Sequence, residues 1–300
     1  MNSRHCLVAL AVALVPVAVM NGIACSSGDG PSAPPVGFGT CNHPGCEGWG
    51  DAADEQAVKW DAKGLSDVDK WDGPRATATG ALWHMTTPLF MPPQIEKDAG
   101  VFTAPAKVRL VANNFEYTAD YYPDGGFTLT NVPSGIHRFI AEDIDGQNDA
   151  LNTMWRVEIG DTNNLQIGVT QKSEFEKILA SVDPPLTFDP TKAHILATII
   201  RSSADLTGVS GVRMGTPHPA EAVLYEAEDG TPNKWVRDQE SGTGPNGIAI
   251  IVNMDASPYP GDAVKIKYSK PGNVGETPDT FFVCQGAVSR AFWWEAWTPQ

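Results

Sequence analysis

Tyr122-Pro-Asp-Gly-Gly-Phe-Thr-Leu-Thr-Asn-Val-Pro-Ser-Gly135 is the stretch that decides the fold. Asp124-Gly125 is turn chemistry, because Asp bonds its own backbone and Gly accepts a positive φ. Phe127 and Leu129 then alternate with Thr128 and Thr130, which puts two apolar side chains on one face of a strand. Pro133-Ser-Gly135 ends that strand and turns the chain.

Working outward, the same pattern repeats. Strands are expected at Ala76–Trp83, Lys107–Ala112, Phe115–Ala119, Gly126–Thr130, Ile136–Ala141, Met154–Ile159 and Leu165–Val169. A second set is expected at His194–Arg201, Ala222–Glu226, Gly247–Asn253, Ala263–Tyr268, Thr280–Gln285 and Ser289–Trp294. Between the sets, Lys172 to Val182 predicts a short helix with Phe175, Ile178 and Leu179 on one side, stopped by Asp183-Pro-Pro185. The 29 Gly and 24 Pro and the many short β-branched runs point to an all-β chain.

The 122–135 run resembles the carboxypeptidase regulatory-like domain, a transthyretin-type β-sandwich, and Gly80 fits the glycine near the first strand of such domains. A weaker second copy is Thr243-Gly-Pro-Asn-Gly-Ile-Ala-Ile-Ile-Val-Asn253, preceded by Gly208-Val-Ser-Gly211-Val. The resemblance implies two tandem Ig-like/transthyretin-like β-sandwich domains, at 75–186 and 187–300. It implies a habit of binding, spacing and surface display, and no catalytic residues.

The beginning of the chain carries an address. Arg4 precedes an apolar run from Leu7 to Met20, too short for the roughly 20 residues of a bilayer span and suited to a signal h-region. Gly22-Ile23-Ala24-Cys25 resembles a bacterial lipobox, which implies cleavage after residue 24 and acylation of the Cys25 thiol, palmitate included. Ala24-Cys25-Ser26 also fits ordinary signal cleavage after Ser26. With Ser26 after the Cys, the lipobox resemblance implies an exported, lipid-anchored protein at the outer membrane or cell surface. Residues 25–74 form the next unit: a Gly/Ser/Pro tether over 26–40, spanning roughly 20 Å as a coil, then an acidic segment. In that segment Trp49, Trp60 and Trp71 recur, and Lys59-Trp60-Asp61 echoes Lys70-Trp71-Asp72. These rings either pin the segment onto the first domain or offer stacking platforms for sugars.

The formal charge of −15 becomes −16 once Arg4 leaves with residues 1–24. Such a chain is repelled by phosphate backbones, so nucleic acid is not an expected partner. Cys41 and Cys46 are spaced for a small-loop disulfide in an oxidising compartment. With His43 between them they are alternatively three zinc ligands in want of a fourth. With Cys25 acylated and Cys41 paired to Cys46, Cys284 would be left over as a buried thiol.

No G-x-S-x-G, H-E-x-x-H, S-x-x-K or P-loop occurs. Gly242-Thr-Gly-Pro-Asn-Gly247 matches a dinucleotide pattern in spelling, but it precedes a strand and reads as a hairpin turn. Asp143, Asp145, Asn148 and Asp149 put four oxygen-bearing side chains around Gly146, a calcium candidate that competes with a plain Asp-Gly turn. No other cofactor is expected. Phe292-Trp-Trp-Glu-Ala-Trp297 either packs in a core or exposes Trp293 and Trp297 for stacking on a ligand. The expected function is a non-catalytic envelope lipoprotein. It would be held to the bilayer through acylated Cys25, with its sandwiches binding an envelope protein or glycan. The alternatives are a structural spacer without a small ligand and a hydrolase whose site is assembled from distant residues.

Overall fold

The computed structural model describes residues 58–59, 74–85, 106–112, 115–118, 120–121, 126–143, 148–159, 164–201, 205, 207–216, 218–231, 233–259, 261–264, 266–270, 273–276 and 281–294. The strands in chain order are β1 (Val58–Lys59), β2 (Arg75–Met85), β3 (Ala106–Ala112), β4 (Phe115–Thr118), β5 (Asp120–Tyr121), β6 (Gly126–Pro133), β7 (Gly135–Asp143), β8 (Asn152–Ile159) and β9 (Asn164–Thr170). Helix α1 (Lys172–Ser181) follows. Then come β10 (Ala193–Ile200), β11 (Arg213–Gly215), β12 (Ala222–Glu226), β13 (Trp235–Arg237), β14 (Ile248–Met254), β15 (Asp262–Val264), β16 (Lys267–Lys270), β17 (Asn273–Glu276), β18 (Phe281–Val283) and β19 (Ala287–Trp294). Each of the thirteen expected strands is present, the stretch from Ala263 to Tyr268 being split into β15 and β16. The described residues are all-β with one short helix.

From Gly126 to Gly135 the deciding stretch behaves as its residues dictate, and the Asp124-Gly125 turn lies outside the described residues. β5 pairs antiparallel with β6, Tyr121 opposite Phe127. Phe127 and Leu129 are buried, Phe127 against Phe139 with ring centroids 5.3 Å apart. Pro133-Ser-Gly135 carries the chain from the sheet β5-β6-β2-β9 into a second sheet that begins for this half with β7. Gly80 of β2 faces Phe127: a Cβ there would sit 2.5 Å from its ring and 2.4 Å from the Leu165 carbonyl. Gly80 pairs with Phe127 on one side and Leu165 on the other, so only a residue without a side chain lets the Phe127 ring lie across β2 within this sheet.

The second sheet has nine strands in the order β13-β12-β14-β10-β19-β8-β7-β3-β4, so it draws on both sides of residue 187. The joint is β19. It runs parallel to β10 over seven residue pairs, from His194–Val288 to Ile200–Trp294. On its other edge Ala287, Val288 and Ser289 pair in parallel with Asn152, Thr153 and Met154 of β8. A sandwich edge in each half is thus closed by one strand, which removes two edges that would otherwise expose unpaired backbone.

Register assigns the two faces of this sheet. One face carries Phe139, Val157 and Ile159, packed against the four-stranded sheet through Leu82, Leu129 and Ile167. The same face continues as Leu196, Leu224, Ile250 and Val288, covered by Phe175, Ile178 and Leu179 of α1. The opposite face carries Ile195, Ala197, Tyr225, Ile251 and Ala291, covered by residues of β11-β16-β17 and β1-β15-β18, among them Met214, Val264 and Val283. β10 and β14 are therefore buried at every position. This is why Ile195-Leu-Ala-Thr-Ile-Ile200 reads as a continuous apolar run rather than an alternating one. Cys284 is buried beside Ile140, Met154 and Ala287.

The loop Gly242–Gly247 holds a turn closed by the Gly247 N–H on the Gly244 carbonyl at 3.0 Å. It is not a hairpin: β13 and β14 both pair with β12, which lies between them. Sequence adjacency suggested pairing across the turn. The sheet order instead makes the loop cross the end of β12.

Candidate functional site

The Asp143–Asp149 segment was the leading ion candidate, and its described members are used locally. Asp143 accepts the Asn148 N–H at 2.8 Å and the Asn148 side-chain amide at 2.9 Å. Asp149 takes a positive φ of 49° and turns to α1. Its carboxylate accepts the Ser173 N–H at 2.9 Å, the Ser173 hydroxyl at 2.6 Å and the Gln171 amide at 2.9 Å, and its carbonyl accepts the Lys172 N–H. Gln171, the residue at the N-cap, makes no side-chain cap, so Asp149 supplies one from 22 residues upstream in the chain. Asp145 lies outside the described residues. Among the described residues no group of three His, Cys, Asp or Glu is arranged around a metal position. Asp149→Ala removes the cap and is expected to lower stability by about 1–2 kcal/mol. Denaturant unfolding followed by circular dichroism reads this, and Ser173→Ala should lose less.

Cys25, Cys41, Cys46 and Trp297 also lie outside the described residues. Trp293 stands in β19 opposite Ile199. Among the described residues no helix is long and apolar enough to cross a membrane.

The structure gathers a different set of polar groups. Asp189, Lys192, Pro219, Ala220, Glu221, Asn253 and Asp255 line an open cleft of about 260 Å3 beside the start of β10. Asn253 organises it. The β10–β14 register slips between Ala193 and Ile195, where the single β10 residue His194 faces two of β14, Val252 and Asn253, and Asn253 takes a φ of 51°. This is a β-bulge, a device that re-aims side chains at the end of a strand. Asn253 Nδ2 donates to Glu221 Oε2 at 2.6 Å and to the Thr187 carbonyl at 2.9 Å, while its Oδ1 accepts the Asp189 N–H at 3.1 Å. One amide thereby fixes three segments of the chain.

The charges around it are set by short contacts. The Lys192 ammonium donates to the Asp255 carboxylate, and that bond holds its pKa above the ordinary lysine value. Asp189 accepts the Thr191 hydroxyl at 2.7 Å and the Thr191 N–H at 2.8 Å, which lowers its carboxyl pKa. Three carboxylates face one ammonium, so the cleft favours a cationic or hydrogen-bond-donating visitor over an anion. Sequence reasoning missed this set. Its members are spread over Asp189 to Asp255 with no motif spacing, and only the Asn at the end of an apolar run hinted at a bulge.

No family model matches this chain, and no curated protein matches it. Solved structures that align with it include the Bacillus anthracis TIE protein, at 12% identity and a TM-score of 0.22, over 73% of this chain and 34% of that one. The chain thus spans about a third of that protein's length. A streptococcal ancillary pilin aligns at 10% identity and a TM-score of 0.21, over 74% of this chain and 68% of that one. GBS52, a minor pilin of Streptococcus agalactiae, aligns at 12% identity and a TM-score of 0.22, over 75% of this chain and 98% of that one. The all-β assignment rests on the strand pairing described above.

Proposed function

We propose that this protein is a non-catalytic envelope lipoprotein, anchored through acylated Cys25, whose β-sandwich body is displayed to bind an envelope protein or glycan. The observation that carries the reading is the order of parts along the chain: a short apolar leader ending in Ala24-Cys25, a Gly/Ser/Pro tether, then two strand-rich sets. The cleft supports the binding half of the proposal. Its carboxylates and amide sit at strand ends and offer acceptors to a hydroxyl-rich or cationic partner. Metabolic labelling with a fatty-acid probe tests the anchor. Wild type should label and Cys25→Ala should not; equal labelling of both sinks the anchor. A glycan array with the soluble body tests the binding, and captured glycans should be lost in Asn253→Ala.

The structural-spacer reading has one specific observation in its favour, the sheet that runs through both strand sets by way of β19. Such continuity suits a part that transmits position rather than one that flexes between modules. A body that binds nothing on the array, yet is required for the spacing of an envelope assembly, would favour this second reading.

A further inference from the structure

We infer that His194 is an acid-operated latch that holds α1 and the connector after it against the sheet, and with them the cleft. The imidazole is fully buried at the start of β10, on the α1 face of the sheet. It stacks on Phe188 of the connector, centroids 4.7 Å apart and planes at 20°, and meets Phe175 of α1 edge-on at 5.3 Å. Phe175 and Phe188 also touch edge-on at 6.3 Å. Helix, connector and sheet thus each contribute a ring to one cluster.

The hydrogen bonding of the ring requires the neutral form. Nδ1 accepts the Asn253 N–H at 3.3 Å, and Nε2 is buried without a hydrogen bond. A second proton would set an N–H on Nδ1 against the Asn253 N–H and place a cation among phenyl rings, where only the Asp189 backbone and carboxylate favour it. Burial pushes the imidazole pKa down to about 4, with the backbone and charge of Asp189 acting against that shift.

The charged surroundings give little relief. On the connector, Asp189 is committed to Thr191, and Lys192 to Asp255 beyond β14. Beside Asn253 on β14, Glu221 accepts the Asn253 amide. On α1, Glu174 and Lys177 pair with each other. From β19 the register partner is Val288, and Arg290, buried two residues on along the same face, has donors only and offers no acceptor to an imidazolium.

The direction follows from linkage. An exposed His has a pKa of about 6.5, so the open form takes up a proton more readily than the closed form. The stabilisation of the closed form is complete above about pH 6.5 and is lost as pH falls from there toward 4. Opening also dismantles the cleft, because the Asp189 N–H bonds the same Asn253 whose N–H bonds His194. A ligand held there would be released in acid.

Hydrogen exchange read by mass spectrometry tests this, with protection corrected for intrinsic rates. Between pH 7 and pH 4.5, wild type should lose protection over 172–192 by roughly fifty-fold, with β2 and β6 unchanged. His194→Phe and His194→Gln, which cannot titrate, should keep that protection at pH 4.5. The latch is refuted if both variants lose protection as wild type does, if wild type keeps it, or if the whole body opens at once. Should neither variant fold at pH 7, histidine-labelled wild type decides by NMR. Protonation of His194 that coincides with undocking of Phe175 upholds the latch, and a helix still docked after protonation overturns it.

Discussion

Ala291→Asp is expected to unfold both halves of the body rather than one. Ala291 is fully buried in β19 and lies opposite Ala197 of β10 in parallel register. Its neighbours on that face include Ile195, Ile199 and Val283. A carboxylate placed there has no partner, and an unpaired buried charge costs several kcal/mol, on the order of the whole stability of a domain. The consequence beyond the local lesion comes from the other edge of β19. Ala287 to Ser289 complete β8, so displacing β19 leaves Asn152–Met154 without their neighbour. Hydrogen exchange should report loss of protection in β10 and β14 and, with it, in Asn152–Met154. Ala291→Ser, which keeps the volume close, should be tolerated far better. A variant in which β8 stays fully protected while β10 melts would show that the shared strand does not couple the halves.

Gly247→Ala is expected to cost more than about 3 kcal/mol, although it adds a single methyl group. Gly247 has a φ of 70°, where an L side chain is strained. The added Cβ would also lie 2.2 Å from the Ile199 carbonyl and 2.7 Å from the Val209 nitrogen. Those are backbone atoms, so no rotamer change relieves the clash. They are also paired with each other, since the Val209 N–H donates to the Ile199 carbonyl at 3.0 Å, and the Ile199 N–H donates to the Gly247 carbonyl at 2.8 Å. The substitution thus strikes the end of β10 at both of its backbone groups. Thermal unfolding compared with Gly230→Ala separates the causes. Gly230 also has a positive φ, but its Cβ would meet only the Pro245 ring at 3.3 Å. Equal losses in the two variants would mean that φ alone sets the cost and that the close approach contributes nothing.

The latch at His194 and the cap at Asp149 show where local reading stops. The acidic and amide side chains of Asp143–Asp149 were visible in the sequence, and so was the helix that follows. What the pattern did not contain is that Asp149 points at that helix, because the approach depends on how β8 and β9 bring residue 149 beside Ser173. His194 looked like one histidine of an apolar strand. Its partners, Phe175, Phe188 and Asn253, stand up to 59 residues away in the chain.

The sequence by itself determined the local elements. Turn residues, alternation and short apolar runs placed the longer strands, though not β1, β5, β11, β13 or β17, and the Phe175, Ile178 and Leu179 stripe placed the helix, because these signals depend on neighbours within a few residues. Only the tertiary structure decided which strands share a sheet. That β19 joins β10 to β8, that β12 separates β13 from β14, and that Asp189, Glu221 and Asp255 meet at one bulge are outcomes of long-range backbone pairing and shared burial. A two-residue period says which face of a strand is apolar, and it does not say which edge that strand will meet.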